Sequence, residues 1–240
     1  MFGAGTLLPE GNRYNELLGS LLYLANTTRP DISTAVGILS RFRVSPTTAH
    51  YNAALRVLKY LKDTRTMGLR LGGSGPLLMA YTDADYAGCL DTRRCLSGLA
   101  VKVMGGLVSW GSKKQSSVSL STTEAEFQAS CVAINEVNWL KGLLGEMGIS
   151  VGKVPLYCDS NGCLSQLKNP QCSRLTKHIA IRFHRAREAV DAGEVSPVFV
   201  GTKENVADIF TKALGPQDFE RHRESLGVVE VPAHLTKGKC

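Results

Sequence analysis

The chain has 240 residues, of which 43% are hydrophobic and 20% charged, so it can bury one sizeable core and is not disordered. Its formal net charge of +7 favours an anionic partner, although a surplus of this size is also common in proteins that bind nothing charged. The seven cysteines form no C-x-x-C pair, which indicates reduced thiols in an intracellular protein rather than disulfides or a zinc site. We expect neither a membrane span nor a signal peptide, because no apolar run is long enough and the N-terminus lacks a basic start followed by an apolar segment.

The first 72 residues have a helical pattern only. Apolar residues recur at helical spacing in "YNELLGSLLYLANT", in "DISTAVGILSRF" and in "SPTTAHYNAALRVLKYLKDT". We expect His50, on the third of these helices, to have a structural role. Glycines at 72, 73 and 75 predict a hinge at the end of this helical region.

Beyond the hinge, strands and helices alternate. Gly105-Gly106 predicts a hairpin between its second and third strands. The order suggests a mixed β-sheet with helices packed on it. Strands are predicted at 76–82, 97–103, 107–110 (continued by 117–121), 154–158 and 196–200. Helices are predicted at about 123–147, 161–168, 176–192 and 203–213, the first burying Val132, Val137, Leu140, Leu144 and Met147.

Four carboxylates fall at structural landmarks of this pattern. Asp83 closes the first strand, Glu126 lies in the first turn of the long helix, Asp159 closes the fourth strand, and Asp208 lies on the last helix. Loops converge at strand ends of an α/β sheet, so these acids are expected to meet there. Because neighbouring carboxylates repel by several kcal/mol, they require a counter-charge, and Mg²⁺ with oxygen ligands is the natural one.

Each acid also has an alternative interpretation that involves no metal. Asp83 could be a turn residue, and either Glu124 or Glu126 could complete a capping box in "SLSTTEAEF". Asp159 could cap the following helix, and Asp208 could lie on a solvated face. The order Asp–Glu–Asp–Asp along the chain is that of ribonucleases H, whereas integrase cores place their Glu after both Asp residues.

Multi-residue motifs along nearly the whole chain resemble the ribonuclease H domain of copia-type LTR retrotransposon Pol polyproteins. They include "YTDADYAG", "VSWGSKKQSSVSLSTTEAEFQA", "LYCDSNGCLSQLKNP" and "NVADIFTKAL". The resemblance implies an α/β ribonuclease H-like fold, a mixed five-stranded sheet flanked by helices and preceded by a small all-helical segment. The implied domains are a connection region at 1–72, after a missing reverse-transcriptase palm, a ribonuclease H-like domain at 76–215 and a C-terminal tail at 216–240.

The implied function is endonucleolytic hydrolysis of the RNA strand of RNA/DNA hybrids by a two-metal mechanism, in the cytoplasm (within a virus-like particle) or the nucleus. The motifs map catalysis and metal binding to Asp83, Glu126, Asp159 and Asp208, with two Mg²⁺ ions or Mn²⁺. In this scheme Asp83 bridges both ions, Asp159 and Asp208 hold the nucleophile-side ion, and Glu126 holds the leaving-group ion and contacts the ribose 2′-hydroxyl. The expected partners are an RNA/DNA hybrid and the rest of the Pol polyprotein.

The sequence departs from the family pattern at Ala180, where the family usually has an acid. As in the family, the loop before the last helix lacks the histidine of cellular ribonucleases H, which leaves water or Lys203 to transfer the proton. An inactive retroelement remnant, which keeps the fold and only binds nucleic acid or assembles with partners, is the alternative function.

Two segments, 92–123 (which includes Lys102) and 168–187 (which includes Arg187), are rich in basic residues and free of acids. They predict phosphate contacts, although a solvated helix face is the alternative. Trp110 and Trp139 are expected in the core rather than as stacking platforms. The predicted nucleic-acid-binding residues are Arg93, Arg94, Lys113, Lys114, Lys177, Arg182 and Arg185.

Overall fold

The computed structural model of the chain describes residues 5–86, 94–168 and 177–232, and for 177–183 it describes the helical backbone only. The chain forms two compact units. Residues 1–70 and 226–240 make up the smaller unit, and residues 71–225 make up the larger one. Among the described residues, no helix is both long and apolar enough to cross a membrane.

The smaller unit is mainly helical, as expected. Its helices are α1 (Tyr14–Thr27), α2 (Ser33–Leu39) and α3 (Thr48–Asp63). Tyr14 is fully buried, and its hydroxyl donates to the carbonyl oxygen of Leu39 at 2.8 Å, which ties α1 to α2. His50 is buried and accepts a hydrogen bond at Nδ1 from the backbone nitrogen of Thr47 at 3.0 Å, which confirms its structural role at the start of α3.

A two-stranded sheet also belongs to the smaller unit. Strand β1 (Met67–Leu69) pairs antiparallel with a C-terminal strand, Val228–Glu230, numbered β7 in chain order. The sequence did not indicate this sheet. Each strand has three residues, too few for a visible alternation, and the partner lies far along the chain.

The larger unit has the predicted five-stranded mixed sheet, and its fold is ribonuclease H-like. Strands β2, β3 and β4 are antiparallel, whereas β5 runs parallel to both β2 and β6. The turn between β3 and β4 uses positive φ angles at Met104 (47°) and Gly105 (82°), as a two-residue hairpin requires. The strands are β2 (Leu78–Asp85), β3 (Leu96–Val103), β4 (Gly106–Lys114), β5 (Val154–Cys158) and β6 (Val195–Phe199), in the order β4-β3-β2-β5-β6.

Helix α4 (Thr122–Glu146) packs on one face of this sheet. Val137, Leu140 and Leu144 are buried as predicted, but Val132 and Met147 are exposed. Val132 lies about 140° around the helix from Val137 at 100° per residue, and Met147 is the residue after the helix ends.

Trp139 is 62% exposed, so its predicted core position was wrong, while Trp110 is half-buried. The other helices of this unit are α5 (Asn161–Lys168), α6 (Lys177–Asp191) and α7 (Pro216–Ser225).

Two predicted elements differ from the structure. The continuation of the hairpin at 117–121 is not a strand, because a hydrogen-bonded network of polar side chains occupies this stretch, with Ser119 donating to Gln115 and accepting from Gln128. The predicted helix at 203–213 is two short 3₁₀ turns, Thr202–Glu204 and Val206–Phe210. Asn205 separates the turns with an extended backbone (ψ 97°), so Asp208 lies on a 3₁₀ turn rather than an α-helix.

Candidate active site

Three of the four predicted acids converge in the larger unit. Asp83 on β2 is fully buried, Asp208 is 4% exposed, and Asp159 directly follows β5. Carboxylate oxygens of the three, one from each residue, all lie within 4.8 Å of one another. The parallel register of β2 and β5 brings Asp83 and Asp159 together, because Tyr81 pairs with Tyr157 and each acid follows two residues later.

The fourth acid, Glu126, extends from the first turn of α4 to the same strand ends. It is 7% exposed, and its Oε1 accepts a hydrogen bond from the backbone nitrogen of Ala84 at 3.0 Å. Ligand atoms of Glu126, Cys158 and Asp159 form a second group within 4.8 Å. Asp159 is therefore common to the two groups, whereas the family scheme gives the shared position to Asp83.

The structure assigns the helix caps to other residues than the four acids. The α4 cap is Ser121, whose hydroxyl accepts from the backbone nitrogen of Glu124 at 3.1 Å. Glu124 in turn accepts from the backbone nitrogen of Leu120, so Glu126 is not needed at the helix start. At α5, Ser160 rather than Asp159 accepts from the first turn. Asp83 lies within a strand, so it is not a turn residue. Asp208 is buried, so it does not lie on a solvated face.

A lysine that sequence reasoning did not identify lies between two of the acids. The ammonium of Lys212 donates to Asp83 Oδ1 at 3.1 Å and to Asp208 Oδ1 at 3.0 Å. Thr211, the preceding residue, donates its hydroxyl to Asp83 Oδ2. The available signal was the i, i+4 spacing from Asp208 to Lys212, but that spacing is also common on solvated helices.

The buried charges shift the pKa values of this cluster. Desolvation, followed by repulsion from Asp83, raises the pKa of Glu126 to about 10 and that of Asp208 to about 7. The same two causes raise the pKa of Asp85. The pKa of Lys212 is raised by Asp83 and Asp208 despite its burial. The cluster therefore favours additional positive charge, either as protons or as cations.

The donor set fits a hard divalent cation. Carboxylate oxygens are the preferred protein ligands of Mg²⁺, and two groups of ligand atoms lie close enough together for coordination. The position of the Lys212 ammonium shows that the space between Asp83 and Asp208 already accommodates a cation. The acidic cluster can thus hold a divalent metal.

Comparison with known proteins agrees with the motifs. A retrovirus-related Pol polyprotein from transposon TNT 1-94 of Nicotiana tabacum is 41% identical over 215 residues, which are 90% of this chain and 16% of that protein. A second, from transposon RE2 of Arabidopsis thaliana, is 40% identical over 231 residues, or 95% of this chain and 16% of that protein. Over most of its length, the chain is similar to one segment of the retrovirus-related Pol polyproteins of copia-type transposons. No protein-family model matches it.

The chain spans about a sixth of the length of those relatives. Among solved structures, it is similar to the crystal structure of LC11-RNase H1 in complex with an RNA/DNA hybrid. The sequence identity is 14% and the TM-score is 0.41, over 56% of this chain and 93% of the other.

Some predicted nucleic-acid contacts of the chain lie on its surface. Lys113 and Lys114, at the end of β4, line a groove of about 350 Å³ with polar side chains of α4. Arg94 is half-buried, and Arg185 on α6 is exposed. Arg93 lies outside the described residues, as do the side chains of Lys177, Ala180 and Arg182.

Two other basic residues from these segments are not on the surface. Lys102 is 9% exposed on β3, and Arg187 is 8% exposed with its Nε donating to the carbonyl oxygen of Gln166 at 3.3 Å. Absence of acids along a segment thus did not distinguish solvated cations from buried ones.

Proposed function

We propose that the chain hydrolyses the RNA strand of RNA/DNA hybrids, as one part of a transposon Pol polyprotein engaged in reverse transcription. The observation that carries this proposal is the meeting of Asp83, Asp159 and Asp208 within 4.8 Å, beside Glu126 and at the ends of adjacent parallel strands. Two buried carboxylates beside a half-buried third serve no packing purpose, because each buried one must be desolvated against the repulsion of its neighbours.

The residues that would hold Mg²⁺, or Mn²⁺ in its place, are the four acids. One ion would be held by Asp83, Asp159 and Asp208, and a second by Glu126 with Asp159. Bound there, the metal would activate the attacking water and stabilise the leaving oxygen of the phosphodiester.

Hydrogen bonds from the protein orient these carboxylates. Thr202 donates its hydroxyl to Asp159 Oδ2 at 2.8 Å, and Thr211 donates to Asp83 Oδ2. The other oxygen of Asp83 accepts from Lys212, which a bound metal would displace. Glu126 is held at Oε1 by the backbone of β2, and its position beside Asp159 suits a contact with the ribose 2′-hydroxyl. That contact would distinguish RNA from DNA.

The substrate would be held mainly by charge. Lys113 and Lys114 line the polar groove beside α4, and Arg185 lies exposed on α6. Contacts of this kind bind the phosphate backbone without regard to sequence, and their strength falls as salt rises. The rest of the Pol polyprotein would contribute further contacts with the substrate. The reaction would take place in a virus-like particle in the cytoplasm or in the nucleus.

The test is hydrolysis of a labelled RNA/DNA hybrid in the presence of Mg²⁺. Wild type should cut the RNA strand, and Asp83→Asn should lose at least about a hundredfold in rate, since that change weakens a metal position. Asp191→Asn, on the exposed end of α6, is the matched control and should retain the wild-type rate.

Two results would contradict the proposal. Equal inertness of wild type and Asp83→Asn, even with the polymerase region restored, would identify the chain as an inactive remnant. Cleavage of single-stranded RNA or duplex DNA as fast as the hybrid would instead reject the substrate.

A further inference from the structure

A second cavity, of about 500 Å³, opens on the sheet face that carries Asp83. Tyr81 and Asp83 are two residues apart on β2 and so point to the same face. Lys102 joins them there, because it pairs with Met79 across the antiparallel register. We call this cavity the basic pocket; its lining includes Tyr81, Lys102, Lys203, Glu204, Val206 and Arg221.

Lys102 supplies a buried ammonium at this pocket. It is 9% exposed, and its Nζ donates to the carbonyl oxygen of Ser225 at 2.6 Å, while the ring centroid of Tyr81 lies 5.7 Å away. No carboxylate of the described residues forms an ion pair with it. An ammonium has three donors, and burying one without a counter-ion is costly. An anion in the pocket would remove that cost.

The remaining charges of the pocket are also mainly positive. Lys203 is exposed. The guanidinium of Arg221 pairs through one nitrogen with Asp218 at 2.8 Å, and its other N–H groups can donate to another acceptor. Glu204 is the one acid among the lining residues. Donors from β3, from the turn before Asp208 and from α7 therefore converge from three directions, which suits the several oxygens of a phosphate group better than a flat carboxylate.

The basic pocket is adjacent to the acidic cluster along the chain as well as along the sheet. Tyr81 precedes Asp83 by two residues, roughly 7 Å along a strand, and the pocket residue Val206 precedes Asp208 by two. We propose that the basic pocket is a phosphate-binding site. Its ligand is either a backbone phosphate of a nucleic-acid strand or a free phosphate compound of similar size.

The experiment uses the full chain with inorganic pyrophosphate as the probe, in metal-free, low-salt buffer, with affinity measured by isothermal titration calorimetry. Lys203→Gln should weaken binding at least fivefold, and Glu204→Gln should tighten it at least threefold, because one removes an attracting charge and the other a repelling one. Both residues are exposed, so neither change threatens the fold. Lys153→Gln, an exposed cation outside the pocket, should leave the affinity unchanged.

A buried variant and a competitor extend the test. Lys102→Met should abolish pyrophosphate binding, with circular dichroism to show that the protein still folds. A single-stranded deoxythymidine decamer that displaces pyrophosphate identifies a backbone phosphate as the ligand, and lack of displacement identifies free phosphate compounds. The proposal is overturned if pyrophosphate does not bind, or if neither Lys203→Gln nor Glu204→Gln changes the pyrophosphate affinity. Since no step requires hydrolysis, this result is independent of the proposed nuclease activity.

Discussion

Lys212 and Asp83 form an ion pair in which the ammonium lies 3.1 Å from Oδ1 of the carboxylate, and the same ammonium lies 3.0 Å from Asp208. Both acids are nearly inaccessible to solvent, whereas about a third of the lysine side chain is exposed (34%). Lys212 therefore supplies the positive charge for both carboxylates, and its side chain has access to solvent. A divalent ion entering between Asp83 and Asp208 would compete with it for the same oxygens.

Removal of the Lys212 ammonium should lower the stability of the metal-free protein and raise its affinity for Mg²⁺. In Lys212→Met, we expect the metal-free protein to lose about 1–3 kcal/mol of unfolding free energy at pH 7, less than a fully buried pair would cost because the lysine is partly exposed. Mg²⁺ affinity should rise about tenfold, since a competing cation is gone. Urea unfolding with and without Mg²⁺ measures both effects.

Lys153→Gln is the control for the general loss of one positive charge, and it should change neither quantity by much. If Lys212→Met left the Mg²⁺ affinity at its wild-type value, the ammonium and the metal would not share a position.

The raised pKa values of Glu126 and Asp208 make the metal-free protein less stable at higher pH. In the unfolded chain these acids lose their protons near their ordinary pKa values of 4.5 and 3.8, but in the folded chain only near pH 10 and pH 7. Within these windows the folded state binds more protons, so the unfolding free energy falls as pH rises, by at most about 1.4 kcal/mol per pH unit for each group.

Urea unfolding in chelator at pH 5.5 and pH 8.5 measures this slope. Glu126→Gln removes one of the two titrations, so its stability should depend less on pH than that of wild type. Added Mg²⁺ should stabilise wild type more at pH 8.5 than at pH 5.5, because the metal replaces protons. A wild-type slope no steeper than that of Glu126→Gln would show that Glu126 is ionised in the folded protein.

The sequence predicted the sheet and the acids much better than it predicted the site's supporting residues. Strand alternation, strand ends and a strong resemblance were sufficient to locate Asp83, Glu126 and Asp159. The turn that holds Asp208 could not be predicted, because its geometry depends on Asn205 binding a strand that lies over a hundred residues earlier. Lys102 and Arg187 illustrate the same limit, since burial is a property of the tertiary packing and basic residues are exposed far more often.

Asn205 should be essential to the position of Asp208. Its side chain is fully buried, donating to the carbonyl oxygen of Thr82 at 3.0 Å and accepting from the backbone nitrogen of Ala207 at 3.2 Å. Asn205→Ala leaves both buried groups unpaired, and we expect a loss of about 2–4 kcal/mol in unfolding free energy. Asn135→Ala, at an exposed position of α4, is the control.

The same variant has a functional readout. If Asn205 positions Asp208, hybrid cleavage by Asn205→Ala should fall at a temperature where circular dichroism shows a fully folded protein. A stability loss below about 0.5 kcal/mol would show that water satisfies the two groups equally well.

Gly98 provides the close approach that brings the turn of Asp208 onto the sheet. A Cβ at this position would lie 2.7 Å from the carbonyl oxygen of Ala207 and 2.8 Å from Cγ2 of Thr211, closer than atoms can pack. Gly98→Ala must therefore push the turn away from β3, and we expect a loss of about 1–3 kcal/mol together with weaker Mg²⁺ binding. Gly111→Ala, on the neighbouring strand β4 with no atom within 4 Å of its Cβ, should leave Mg²⁺ binding unchanged. Equal Mg²⁺ affinity in the two variants would mean that the acidic cluster does not depend on this contact.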